Sequence, residues 1–237
     1  SINTGRNIKD LFDKFKLDCD SINPFTIKDC ANEYIINAIK NCEGIHMSFP
    51  TPPIEVLESL LKDPIKQPIF TLKHPSIVCA KEICNELTEL INVLLSYDSI
   101  ARFPKLVTKI KEEVINKILV TQQNIIYSRI HDAIKIEENH IWTDDQIFIQ
   151  ELQKIFNTSK SNIDPNIMRT LLGTYFHTIK KNIQHIIPKT IMYFLIEQIE
   201  IAISTNLFEK IAKIEYIGLL DEDQDKINKR EYYEQQK

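Results

Sequence analysis

Glycine is nearly missing from this sequence: Gly5, Gly44, Gly173 and Gly218 are four residues in 237. A fold with many tight turns, or one that lays backbone against phosphates, needs far more of them, because glycine alone takes left-handed backbone freely. Neither GxxxxGK[ST] nor GxGxxG occurs, so nucleotide binding within this chain is not expected. HExxH is missing too. There is no CxxC pair, and the five cysteines (Cys19, Cys30, Cys42, Cys79, Cys84) are odd in number. They read as reduced, helix-borne thiols of an intracellular protein. Cys79 and Cys84 are five apart and point to different helix faces, which argues against a zinc site.

Charge of one sign is also scarce. The net charge is −4 and no basic run stands out, so nucleic acid is not an expected partner. No window supplies about 18 uninterrupted apolar residues, the length of a membrane span. Even KNIQHIIPKTIMYFLIEQ, residues 181–198, carries Lys189 and Glu197. Ser1 is not followed by a signal or transit pattern, and a cytoplasmic location is expected.

What remains is 43% hydrophobic and 26% charged, rich in isoleucine, leucine, asparagine and lysine, with few alternating strand patterns. The expected class is all-α. IKDLFDKF reads as a short amphipathic helix, broken by Asn23-Pro24. Thr26–Asn41 reads as a second, with Ile27, Cys30, Ala31, Tyr34, Ile35, Ala38 and Ile39 at three-and-four spacing and Gly44 just past its end. After the proline-rich GIHMSFPTPP, a helical pattern resumes from Ile54 to Tyr97, interrupted in its first half by Pro64, Pro68 and Pro75. Residues 98–104 form a connection.

A long helix from Lys105 to Ile141 carries Leu106, Ile110, Val114, Ile118, Ile125 and Ile130; at ~1.5 Å per residue it would run on the order of 50 Å. Residues 142–166 are looser, with a short helix around Phe148, Leu152 and Ile155. Asp164-Pro165 is a good helix start. The last long pattern, 166–206, carries the seam Met168, Leu172, Tyr175, Ile179, Ile183 and Ile186. A shorter continuation follows, and a charged, frayed tail from Asp221. Helices of this kind, antiparallel to their neighbours, imply an elongated bundle.

Chemistry is hard to find. His177 and His185 lie eight apart on one helix face and could bind a metal only with acidic partners from another helix. The plainer reading is exposed bundle histidines. Glu112-Glu113 and Glu137-Glu138 face apart and suit a solvated surface rather than paired-carboxylate catalysis. Tyr175 and Phe176 read as seam residues. Trp142, the one tryptophan, reads as a packing anchor at the end of a long helix. No residue is assigned a catalytic, cofactor or metal role.

Several stretches resemble the dynamin superfamily. LLGTYFHTIKKNIQHIIPKTIMYFLIEQ resembles the start of its GTPase effector domain, through Tyr175, Phe176, the run Lys181 to Gln184, Pro188, Lys189 and Met192. LLDEDQDKINKR, residues 219–230, is similar to the acidic-then-basic segment that follows in mitochondrial-type members. NAIKNCEGIHMSFPTP, residues 37–52, resembles the middle-domain helix that leads to a glycine-headed assembly loop. FTLKHPSIVCAKEICNEL (70–87) and ARFPKL (101–106) fall in the expected order.

The resemblance implies a self-assembling antiparallel four-helix stalk. Residues 1–141 would be its middle-domain part and 142–166 a short connection where relatives carry a lipid-binding or variable insert. Residues 167–220 would be the effector part, and 221–237 the start of a signalling-bundle segment. Assembly contacts would fall on Gly44, Ile45, His46 and Met47, on Arg102 and Lys105, and on Met192 and Phe194. Ala38 and Pro188 would be structural, the proline bending its helix. His46 stands where many members carry arginine. GTP and Mg would belong to a GTPase domain preceding Ser1. The partners would be other copies of the chain, and a membrane reached through the parent protein or its adaptors. The alternatives are a helical adaptor unrelated to a GTPase and a metal enzyme using His177 and His185.

Overall fold

A computed structural model describes residues 4–45, 53–158 and 163–207, together with Leu220, Asp221, Ile227, Asn228 and Tyr232. Among the described residues there is helix and turn but no strand. The elements are α1 (Thr4–Asp20), α2 (Asn32–Ile45), α3 (Pro53–Leu61), α4 (Lys73–Leu95), α5 (Asp98–Ala101), α6 (Pro104–Lys111), α7 (Val120–Asn139), α8 (Gln146–Thr158), α9 (Pro165–Ile191) and α10 (Gln198–Ala202). Three π-helical stretches, Glu112–Leu119, Met192–Glu197 and Ile203–Leu207, join α6 to α7 and follow α9 and α10. The two long helical stretches expected from the sequence are therefore continuous, but they are not α-helical throughout.

The chain forms two compact units. One gathers residues 1–12, 78–128 and 189–237; the other gathers 13–77 and 129–188.

In the second unit, α9 runs antiparallel to α1. Gln184 donates to the Lys16 carbonyl at 2.9 Å and to the Asp20 carboxylate at 2.8 Å, and Lys180 reaches the Asp20 carbonyl at 3.3 Å. The earlier residue of one helix meets the later residue of the other. Lys180 and Gln184 are both buried, and these bonds satisfy them there. Phe15, Cys19, Leu60, Leu61, Ile130, Ile134, Tyr175 and Ile183 are among the core side chains.

In the first unit, α1 is antiparallel to α4: Asn7 donates to Glu86 at 3.0 Å, and the Cys79 thiol faces the Leu11 carbonyl at 4.0 Å. The π-helical Glu112–Leu119 packs on α10 and on Ile203–Leu207. Within it Glu113 is buried, and Lys117 pairs with it at 2.6 Å.

Several expectations need correction. The second helix starts at Asn32, not Thr26, and runs through Gly44 to Ile45. Residues 24–31 are turns instead. Asn23 accepts the Phe25 amide at 3.1 Å, and Thr26 accepts the Asp29 amide at 3.2 Å, so local side-chain bonds compete successfully with helix. Ile27, placed on the buried stripe by its spacing, is 76% exposed in consequence.

Pro75 does not interrupt α4, because it falls in the first turn, where no amide donor is needed. Pro64 and Pro68 do lie in the turn between α3 and the 3-10 turn Ile69–Leu72, where Gln67 takes φ 42°. Residues 98–101 are helical rather than a plain connection. Asp164 caps α9 as expected, accepting the Asn166 amide at 2.8 Å. Pro188 lies inside α9, which continues past it for three residues.

Candidate assembly surfaces

Four of the expected contact residues, Arg102, Lys105, Met192 and Phe194, belong to the first unit. Pro104 opens α6 at its first turn, where its fixed φ is already helical and its missing donor costs nothing. That start places Lys105 on an exposed turn, where its ammonium pairs with Asp221 at 3.0 Å. Both side chains are more than 60% exposed, so the pair is weak and open to competition. The Arg102 guanidinium lies 4.8 Å from the centre of the Phe103 ring.

Met192 opens the π-helical stretch that follows α9. Met192 and Tyr193 are both half exposed, and the Tyr193 ring stands edge-on to Phe194 at 4.9 Å. Val93, Leu94, Tyr97, Val120, Ile125 and Ile201 are further exposed apolar side chains of the same unit. Tyr193 was not singled out in the sequence. Its neighbours Met192 and Phe194 carried the same apolar signal, but the widened π turns decide which of the three faces outward.

Gly44 and Ile45 close α2 in the second unit, while His46 and Met47 lie outside the described residues. Ala38 is buried on α2. The start of α2 is fastened by cations. Arg169 donates to the Cys30 carbonyl at 2.8 Å, to Asn166 at 3.0 Å and to Asn32. Lys66 bonds the Asp29 carbonyl and lies 3.9 Å from the centre of the Tyr34 ring. Tyr34 in turn donates to Asp63 at 2.5 Å. Burial pushes the Asp63 carboxyl up, but the Tyr34 hydroxyl and the Lys66 and Ile65 amides outweigh it and hold it below its ordinary value.

Trp142 is no packing anchor. The helix α7 ends at Asn139, three residues earlier, and the indole is 76% exposed. Its sequence setting, Thr143-Asp144-Asp145, offers no apolar partner within a helical turn, and that was the signal for exposure. Trp142 instead walls a groove of about 490 Å³ on the second unit, together with Ile147, His177, Lys181 and His185.

All five cysteines are free and buried; burial pushes Cys19 up to about 12 and Cys84 to about 11, so neither is a ready nucleophile. Among the described residues no three histidines, cysteines or carboxylates gather as metal ligands. No helix among them is long and apolar enough to cross a membrane.

Comparison with known proteins agrees with an interaction role. A family profile described as the dynamin central region matches residues 1–157, and one described as the dynamin GTPase effector domain matches residues 160–236. A curated relative, Dynamin-A of Dictyostelium discoideum, is 34% identical over 73 residues, which is 31% of this chain and 9% of that protein.

Proposed function

The chain belongs to the dynamin family, and from that premise we propose that it is the self-assembly stalk of a dynamin-related large GTPase. The two matched regions follow one another in a single all-helical chain and take up 1–157 and 160–236. No stretch of this chain is left over for a GTPase domain. That observation carries the reading. The exposed Met192 and Tyr193, with the Tyr193 ring edge-on to Phe194, are the apolar side chains through which copies would join in this reading.

In this reading the parent protein holds GTP and Mg in a separate domain. Joined stalks hold those domains at neighbouring positions on a ring or helix, where hydrolysis does work on an enclosed membrane. The chain itself is recruited peripherally, through its parent or adaptors. Gly44 to Met47, Arg102, Lys105, Met192 and Phe194 serve as contacts between copies in this reading.

Light scattering over a concentration series tests this. Dimers or larger species are expected at high concentration. They should weaken on Tyr193→Asp, on Lys105→Glu and on joint replacement of His46 and Met47 by alanine, with helicity by circular dichroism unchanged. A monomer at every concentration overturns the reading.

A further inference from the structure

Lys105 differs from the neighbouring lysines in where its counter-charge comes from. Lys109 pairs with Glu112 at 3.2 Å and with Glu113 at 3.5 Å, and Lys117 pairs with Glu113 at 2.6 Å, all within one helical turn. Around Lys105 the positions three and four residues away are Ala101, Arg102, Thr108 and Lys109, and none is acidic. Its ammonium is met instead by the carboxylate of Asp221, 116 positions later, at 3.0 Å. Among the described residues no other carboxylate pairs with it. Both residues belong to the first unit.

We propose that Asp221 is an intramolecular competitor of assembly: by occupying Lys105 it keeps that lysine from an acidic group of a second copy. The proposal rests on the self-assembly reading, which gives Lys105 a contact between copies. An ion pair braces a fold where it is bidentate or part of a network, and this one is a single bond between two exposed side chains. Such a pair holds the lysine only until a better acceptor arrives. Because Asp221 is in the same chain, its effective concentration beside Lys105 does not fall on dilution, whereas that of a second copy does. The contact therefore favours separate chains when they are dilute and yields when they are crowded. It sets a threshold for assembly rather than a block.

Asp221→Asn keeps the size of the side chain and removes its charge. Light scattering over a concentration series at low salt should show this variant associating at a concentration about two- to fivefold lower than the wild type, with an equal melting temperature. Glu89→Gln, at an exposed position of α4 in the same unit, makes the same change in net charge and should leave association as it was. In a Lys105→Gln background, Asp221→Asn should have no further effect. At about 1 M salt the wild type and Asp221→Asn should converge. Unchanged or weaker association in Asp221→Asn overturns the proposal. So does an equal gain in Glu89→Gln, or a gain that survives Lys105→Gln. In each of those outcomes the chains still associate, and the assembly reading stands. Wild type and Asp221→Asn both monomeric at every concentration overturn that reading and the competitor with it.

Discussion

The hydroxyl of Tyr34 donates to the carboxylate of Asp63 across 2.5 Å, joining residues 29 positions apart in sequence. Lys66 covers the same tyrosine ring and bonds the carbonyl of Asp29, so one small cluster fastens the turn before α2 to the turn after α3. Tyr34→Phe removes a bond to a charged acceptor and is expected to cost about 1–2 kcal/mol, measured by urea unfolding. The sign of the pH effect follows from Asp63, whose carboxyl is held below its ordinary value. Its contribution is present above about pH 4 and is lost as pH falls through the folded value. Asp63→Asn should therefore lose stability at neutral pH and show a flatter acid limb. An acid limb identical to the wild type would contradict the assignment.

Glu137 works in the opposite direction. Burial raises its carboxyl, and the bond from Asn182 at 3.2 Å only partly offsets that. An acid with a raised folded value costs stability while it is ionised, and the cost is relieved as pH falls towards the ordinary glutamate value of about 4.3. Glu137→Gln keeps an acceptor for Asn182 and removes the charge. Its melting temperature should exceed that of the wild type at neutral pH and converge on it in acid. A variant less stable than the wild type at neutral pH would show that the ionised carboxylate is a net support.

Ala38 is buried on α2, one helical turn after the buried Ile35. Ala38→Asp places a charge there with no cation designed to meet it, and the expected loss is about 3 kcal/mol or more. Ala38→Ser, which adds only a hydroxyl, should cost much less. Equal melting temperatures for the aspartate variant and the wild type would contradict the burial.

Much of this architecture could be read from apolar spacing, and the departures have physical causes. The stripe Leu106, Ile110, Val114 passes into Leu119, Ile126, Ile130 and Ile134, not Ile118 and Ile125, because Glu112–Leu119 is π-helical and takes more residues per turn. A pattern search at 3.6 residues per turn cannot follow such a step. The α9 seam departs by one residue while still α-helical, taking a step of four after Ile183 rather than three. Ile187 is buried where Ile186 was expected, and the seam continues in steps of four through Ile191, Leu195 and Ile199. Asp164 was legible because a cap is a local event. The groove was not, since it depends on the α7–α8 connection standing beside His177 and Lys181, which are far away in sequence. The family resemblance was carried by short quoted runs, and the matched regions at 1–157 and 160–236 bear it out.

Gly173 supplies the last prediction. It lies inside α9, and a Cβ built there meets nothing within 4 Å. Its backbone is helical, so no unusual dihedral requires glycine. In a helix interior glycine costs about 0.5–1 kcal/mol relative to alanine, mainly through the freedom it has when unfolded. Gly173→Ala should therefore stabilise the chain by that amount and raise the melting temperature by roughly 1–4 °C. The glycine also lines the wider cavity of about 540 Å³ that shares Ile147 and His177 with the Trp142 groove. If alanine instead leaves stability higher but reduces association in light scattering, the open space above Gly173 is itself a contact surface. If stability falls, the helix is strained at this point and the assignment of free space is wrong.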